Sequence, residues 1–278
     1  MTIKDFVALA IEEDIKDGDH SALACIPSDA RGKAKLLVKE DGIIAGIEIA
    51  KQIFKEFDDS IVFEQLINDG DKVKYGDIAF YIEGYSQKLL GSERLVLNIM
   101  QRMSAIATLT NKFVVEIGNL PTKILDTRKT TPLTRFLEKK AVKIGGGKNH
   151  RMGLYDMIML KDNHIDFAGG IEKAILKTNK YLADNNLDLK IEIETRDLAE
   201  VKEVLTIGKV DRIMLDNFSH EDLRTAVKLI NGKYETEASG GIKLSTVKSY
   251  AECGVDYVSS GALTHSVHNL DLSLKAVK

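Results

Sequence analysis

The stretch from 125 to 164, LDTRKTTPLTRFLEKKAVKIGGGKNHRMGLYDMIMLKDNH, holds nine Lys or Arg against four Asp or Glu, in a chain whose formal net charge is −3. Nucleic-acid-binding domains carry a strongly basic face, so positive charge in a mildly acidic chain marks a local site instead. Lys139, Lys140 and Lys143 read as the solvated face of a helix, as charge runs usually do. Arg128, Lys129, His150, Arg151 and Lys161 lie beside Thr, Gly or Pro or at the ends of strand-like runs, where loops carry function. Arg128, Arg151 and Lys161 suit carboxylates, the two arginines through paired planar contacts. His150 stands between Asn149 and Arg151 after a triple glycine, whereas His164 and His268 read as structural.

Carboxylates and glycines follow later in the chain. Glu194 and Asp216 close the runs LKIEIE and DRIMLD. They suit a hard cation such as Mg2+, which prefers oxygen ligands and is often shared with substrate phosphates. Alternation in KIEIET would put Glu192 and Glu194 on one polar face of any half-exposed strand. In a parallel strand buried on both faces, such a pair is costly unless it is used. Ser239-Gly240-Gly241 and Ser260-Gly261, with His265 beyond, form turns whose free backbone N–H groups could bind phosphate. A tight turn explains either glycine group alone, and two in succession favour phosphate. The sum is a site for an anionic substrate, a phosphorylated partner and magnesium.

A scaffold must bring these residues together. At 278 residues and 44% hydrophobic, the chain can bury a full core as one large domain or two unequal ones. No apolar run approaches a membrane span, and the acidic start MTIKDFVALAIEEDIKDGDH is unlike a signal peptide, so a cytoplasmic location is expected. Cys25 and Cys253 lack any CxxC or Cys/His spacing, which argues against a disulfide framework and a zinc site. The first part predicts a helix over about 2–14, strand-like runs AKLLVKEDGIIAG and DKVKYGDIAFYIEGYSQKLL, and a helical EIAKQIFKEF between them. Apolar spacing then predicts one long helix from Ser92 to Ile117. Beyond it, six short apolar runs alternate with helical segments at intervals of roughly 20 to 35 residues, which is the signature of repeated βα units. No GxGxxG follows the first of these runs, which disfavours a dinucleotide-binding sheet. The expectation is an α/β protein with an N-terminal α+β sandwich domain (1–108) and a (β/α) barrel of about six or seven parallel strands (109–278). The last ten residues or so are expected to pack back on the first domain. Active sites of such barrels gather at the C-terminal ends of the strands, and Arg128, Lys129, Lys161, Glu194, Asp216, Ser239, Gly240, Gly241, Ser260 and Gly261 fall at such ends.

Those residues also carry a resemblance. EEDIKDGDHSA, KEDGIIAG, GSERLVLNIMQRMSAIAT, LDTRKTTP, GGGKNHRMGLYDMIMLKDNH, IEIE, IMLDNF, EASGGI and SSGALTHS occur in that order along nearly the whole chain. The sequence resembles the quinolinate phosphoribosyltransferase family, also called nicotinate-nucleotide pyrophosphorylase (carboxylating). The resemblance implies conversion of quinolinate and phosphoribosyl pyrophosphate to nicotinate mononucleotide, pyrophosphate and CO2 in NAD biosynthesis. It also implies an N-terminal α/β sandwich, an open or seven-stranded barrel, and a homodimer in which Arg94 reaches across the interface to the quinolinate. Arg128, Lys129, His150, Arg151 and Lys161 match the cationic wall around the two pyridine carboxylates. Glu194 and Asp216 match acidic residues facing ribose and Mg2+, and Ser239, Gly240, Gly241, Ser260, Gly261 and His265 the phosphate end. Lys129, Lys161, Glu194 and Asp216 are the expected catalytic residues.

The chain departs from the family pattern in places. Leu133-Thr134-Arg135 follows DTRKTTP where the family usually has Gly-Leu-Arg, GDHS replaces the common GDIT, and SAIAT replaces SGIAT; no charged site residue is lost. Two other readings compete. Lys161 at a strand end could be the Schiff-base lysine of a barrel aldolase or decarboxylase, and a molybdenum-transport-associated paralogue of the same fold would bind a different ligand.

Overall fold

The computed structural model describes residues 2–277, in two units. The first takes in the chain up to Asn111, Thr130–Gly146 and the chain from Ser266 onward; the second takes in Lys112–Lys129 and Gly147–His265.

In the first unit, helix α1 (Ile3–Asp14) starts at Thr2, whose hydroxyl accepts the Asp5 N–H while Asp5 accepts the Thr2 N–H. This capping box satisfies backbone donors that a helix start leaves open. Next come α2 (His20–Cys25), β1 (Arg31–Val38), the short β2 (Gly42–Ile43), α3 (Ile47–Phe57), β3 (Val62–Gln65), the short β4 (Lys72–Val73) and β5 (Ile78–Tyr85). β1 pairs antiparallel with β5, β5 with β3, and the chain's last strand, Leu272–Val277, with the free edge of β1. Alternation in β1 turns Ala34, Leu36 and Val38 inward. Phe54 of α3 meets Phe80 of β5 edge to face at 6.0 Å. Full burial of side chains of this size contributes about 1.5–3 kcal/mol each.

Helix α4 (Ser86–Ile117) is 32 residues long and begins six residues before the predicted start at Ser92. SQKLL is therefore helix, not strand. Gly91 reads as punctuation, yet a Cβ there would meet Ile15 and Phe57 at 3.5 and 3.6 Å, ordinary contact distances. A helical glycine costs about 1 kcal/mol against alanine, too little to interrupt an otherwise well-packed helix. Ser104 and Thr108 of α4 accept the N–H groups of Ala45 (2.9 Å) and Ile43 (2.8 Å), fixing the helix to the end of β2 and the segment after it.

The remaining elements are β6 (Lys123–Leu125), α5 (Arg135–Ile144), β7 (Ile158–Leu160), α6 (Asp162–Ala168), α7 (Ile171–Asp184), β8 (Ile191–Thr195), α8 (Leu198–Ile207), β9 (Arg212–Asp216), α9 (His220–Ile230), β10 (Glu235–Ser239), α10 (Val247–Ala251), β11 (Tyr257–Ser259) and α11 (Ala262–His265). Six strands form one parallel sheet in the order β7, β8, β9, β10, β11, β6. Among the described residues, β6 and β7 are not paired; Leu125 instead makes a single parallel bridge to Lys148. All six C-terminal ends therefore face one rim, and every residue of β8 is buried.

Helix α5 groups with the first unit, although sequence alone assigns it to the barrel domain. It buries Leu137, Glu138, Lys139, Ala141 and Val142, and Glu138 accepts two hydrogen bonds from the Arg102 guanidinium of α4 (3.1 and 3.0 Å). The reading of Lys139 as solvated is thereby corrected. Helical spacing turns it inward with Val142, and it is 0% exposed, while Lys140 and Lys143 are exposed.

Candidate active site

Arg128 and Lys129 follow β6, Lys161 follows β7, Glu194 and Asp216 lie at the ends of β8 and β9, Ser239 ends β10, and Ser260-Gly261 follow β11. At this rim lies a cavity of about 340 Å³. Arg128, Lys129, His150, Arg151 and Lys161 all line it, over Met159, Met214 and Glu237, with Ser239 and Ser259 at one side. The five basic residues that sequence singled out thus surround one space.

Neighbours hold Lys129, Arg151, Lys161 and His150 in place. The Lys129 N–H donates to Thr127 Oγ1 (3.1 Å), and its carbonyl accepts the Thr264 hydroxyl (2.8 Å). A Cβ on Gly261 would approach Lys129 Cδ and His265 Nε2 to 2.9 Å, so glycine lets this turn press on both without displacing either side chain. Arg151 donates from Nη1 to the Met157 carbonyl (3.0 Å). Burial, then the like charge of Arg128, pulls the Arg151 pKa down from the usual arginine range, which an arriving anion would relieve. Lys161 Nζ donates to Glu194 Oε2 at 3.1 Å. Burial holds Glu194 above the ordinary carboxylate range, Lys161 opposes this, and Asp216 adds to it. Asp216 accepts from the side chain of Asn217 (2.6 Å).

His150 is nearly buried. Its backbone N–H donates to Asp126 (2.9 Å), its Nδ1 accepts the Arg151 N–H (2.6 Å), and its Nε2 lies 2.9 Å from Glu192 and 3.3 Å from Glu237. Burial disfavours a charged ring, but the two carboxylates outweigh it and push the ring up to about 9. A second ring proton would have to take Nδ1, which the Arg151 N–H already occupies. The proton that the geometry fixes is therefore the one on Nε2.

Some expected residues stand differently. Ser260 gives its N–H to the Leu125 carbonyl (3.1 Å) and its hydroxyl to the Ile242 carbonyl (2.7 Å), so both its donors tie the turn to the end of β6 and the segment after β10. Gly240 and Gly241 take positive φ, +100° and +61°. Arg94 is exposed on α4 in the first unit. Lys161 has a side chain 48% exposed and paired with a carboxylate, the opposite of the apolar enclosure that makes a lysine a Schiff-base nucleophile. Asp126, Glu237 and Arg212 were not singled out by sequence. The signal for Glu237 was present: Glu235, Glu237 and Ser239 alternate along β10 as Glu192 and Glu194 do along β8.

A parallel barrel with cations converging at its C-terminal rim, flanked by carboxylates and glycine turns, defines a barrel enzyme for polyanionic substrates. Family models agree with that class: the N-terminal domain of quinolinate phosphoribosyl transferase matches residues 19–104 and its C-terminal domain residues 106–275. The chain is 51% identical to quinolinate phosphoribosyltransferase [decarboxylating] 1b of Nicotiana tabacum, over 98% of this chain and 82% of that one. It is 48% identical to the chloroplastic nicotinate-nucleotide pyrophosphorylase [carboxylating] of Arabidopsis thaliana, with the same coverage of both chains. The crystal structure of NadC from Streptococcus pyogenes superimposes with a TM-score of 0.93 at 40% identity, covering 99% of this chain and 97% of that one. The chain belongs to the quinolinate phosphoribosyltransferase family.

Proposed function

We propose that this protein joins quinolinate to phosphoribosyl pyrophosphate, releasing pyrophosphate and CO2 and forming nicotinate mononucleotide for NAD biosynthesis. The observation that carries the reading is one cavity lined by Arg128, Lys129, Arg151 and Lys161, with His150 beside them, the four cations forming a wall of positive charge for a pyridine bearing two carboxylates. The pyridine nitrogen attacks the anomeric carbon as the pyrophosphate oxygen leaves, through a transition state of oxocarbenium character. Glu194 and Asp216, on paired strands, stabilise that charge. With the ring nitrogen now cationic, the bond to the adjacent carboxylate breaks, its electron pair stays on the ring carbon, and that carbon takes up a proton as CO2 departs. The arginines bind and orient the ring.

The donor set at the β8 and β9 ends fits Mg2+. Glu194 and Asp216 each commit one oxygen to a neighbouring side chain, Lys161 and Asn217, and keep a second for a hard cation that retains water and phosphate ligands. Magnesium there supplies positive charge for the leaving pyrophosphate. Ser239, Gly240, Gly241, Gly261 and His265 hold the phosphate end, and a homodimer brings Arg94 of the partner subunit to the quinolinate. Among the described residues no helix is long and apolar enough to cross a membrane. Cys25 and Cys253 are free thiols, which fits a reducing compartment, and we place the protein in the cytoplasm.

The test incubates the purified protein with phosphoribosyl pyrophosphate, Mg2+ and either quinolinate or nicotinate, following mononucleotide and CO2. Mononucleotide and CO2 from quinolinate alone, abolished by EDTA, are expected. No product from either acid, in a folded protein that still binds phosphoribosyl pyrophosphate, would replace this reading with that of a binding paralogue.

A further inference from the structure

Beneath the cationic wall lies a buried ionic cluster to which the reaction above gives no role. Glu192 and Glu237 are each 0% exposed, at the second position of β8 and the third of β10. Arg212 of β9, between those strands, places Nη1 3.2 Å from Glu237 Oε2 and 3.8 Å from Glu192 Oε2. The guanidinium is itself anchored, with Nη2 3.0 Å from Glu235 and its carbon 4.2 Å from the centre of the Tyr257 ring. Carboxylates at this depth cost several kcal/mol unless paired, and here both converge on one ring nitrogen. His150 Nε2 lies 2.9 Å from Glu192 and 3.3 Å from Glu237, while the other ring nitrogen takes the Arg151 N–H. The imidazole therefore bridges the barrel interior and the backbone from which a cavity-lining arginine projects.

We propose that Glu192 and Glu237 are positioning residues for quinolinate: by accepting the His150 Nε2–H they fix the ring, and through its Nδ1 they fix the backbone that aims Arg151 at a substrate carboxylate. The inference rests on the reading of the cavity as the quinolinate site. A histidine and two carboxylates are also a possible donor set for a metal ion. Arg212 opposes that use, because its guanidinium already faces the same two carboxylate oxygens.

The experiment uses the full chain labelled with [15N]histidine, with the His150 signals assigned by their loss in His150→Gln. Long-range 15N–1H spectra are expected to show Nε2 protonated in the wild type and in Glu192→Gln, which keeps an acceptor oxygen, and altered in Glu192→Leu. In steady-state kinetics, Glu192→Leu should raise the KM for quinolinate about tenfold or more and leave that for phosphoribosyl pyrophosphate within about twofold, while Glu192→Gln stays near wild type. An unprotonated Nε2 in the wild type would overturn the proposal, as would an unchanged quinolinate KM in Glu192→Leu. So would one equivalent of zinc retained by the wild type and lost in Glu192→Gln. Should Glu192→Leu fail to fold, the wild-type spectrum and the Glu192→Gln kinetics still decide. The spectra need no substrate, so an inactive wild type with a protonated Nε2 would count against the reaction and not against the support of the ring.

Discussion

Lys161 Nζ lies 3.1 Å from Glu194 Oε2, joining the ends of neighbouring strands β7 and β8. With Lys161 half-exposed, the pair adds little to stability, and its effect falls on the charge of Glu194. Burial raises the Glu194 pKa and Lys161 lowers it. Lys161→Met removes the lowering cation, so the carboxyl rises further and loses its charge at a higher pH. The acid limb of the kcat/KM profile for phosphoribosyl pyrophosphate should therefore move to higher pH in this variant, with kcat reduced about a hundredfold or more. A limb that stays at the wild-type position would show that Glu194 does not govern it.

Arg128 and Arg151 line the same cavity close enough for the charge of one to depress the pKa of the other. Two guanidiniums held together favour a ligand that neutralises both. Arg128→Ala should raise the KM for quinolinate by about 10- to 100-fold, since it deletes a charge-assisted contact. It should also narrow the preference for quinolinate over nicotinate, because one substrate carboxylate then has no matched cation. An unchanged quinolinate KM would remove Arg128 from the site.

Leu133 stands at φ +66° and is 70% exposed. A left-handed conformation costs a residue with a Cβ about 1–2 kcal/mol, and no burial offsets it here. Glycine would remove that strain and add back roughly 0.5–1 kcal/mol of chain entropy. Leu133→Gly should stabilise the protein by about 0.5–1 kcal/mol in urea denaturation, and a loss of stability would mean that Leu133 makes a contact worth more than its strain.

The barrel was legible because most of its strands are short apolar runs ended by a polar or glycine-rich turn, and the rim follows from topology once the strands are parallel. The five basic residues were legible because they stand at strand ends or in a stretch rich in glycine and threonine, where no core demands them. Glu192 and Glu237 were harder to read. Alternation places them equally well on a solvated face, and only the fold makes that face the barrel interior. Lys139 misled for the same reason in reverse: residue type indicates solvent, and only the packing of α5 shows otherwise. Asp126 and Arg212 act through residues more than 20 positions away, a relationship that no local pattern contains.

Gly240 and Gly241 are adjacent, and both have positive φ, but their surroundings differ. A Cβ on Gly240 would come within 2.9 Å of the Asn217 backbone nitrogen and overlap its side chain, whereas a Cβ on Gly241 would meet nothing within 4 Å. Asn217 donates its N–H to the Ser239 carbonyl at 2.9 Å and its side-chain amide to Asp216 at 2.6 Å. Displacing it therefore disturbs a proposed catalytic carboxylate as well as the turn. Gly241→Ala should cost only the left-handed backbone strain, about 1–2 kcal/mol, with the KM for phosphoribosyl pyrophosphate within about threefold of wild type. Gly240→Ala should cost roughly 3 kcal/mol or more and lower kcat as Asp216 loses its orientation. Urea denaturation and steady-state kinetics on the two variants separate the effects. Equal losses would mean that backbone conformation alone, and not the close approach of Asn217, requires glycine in this turn.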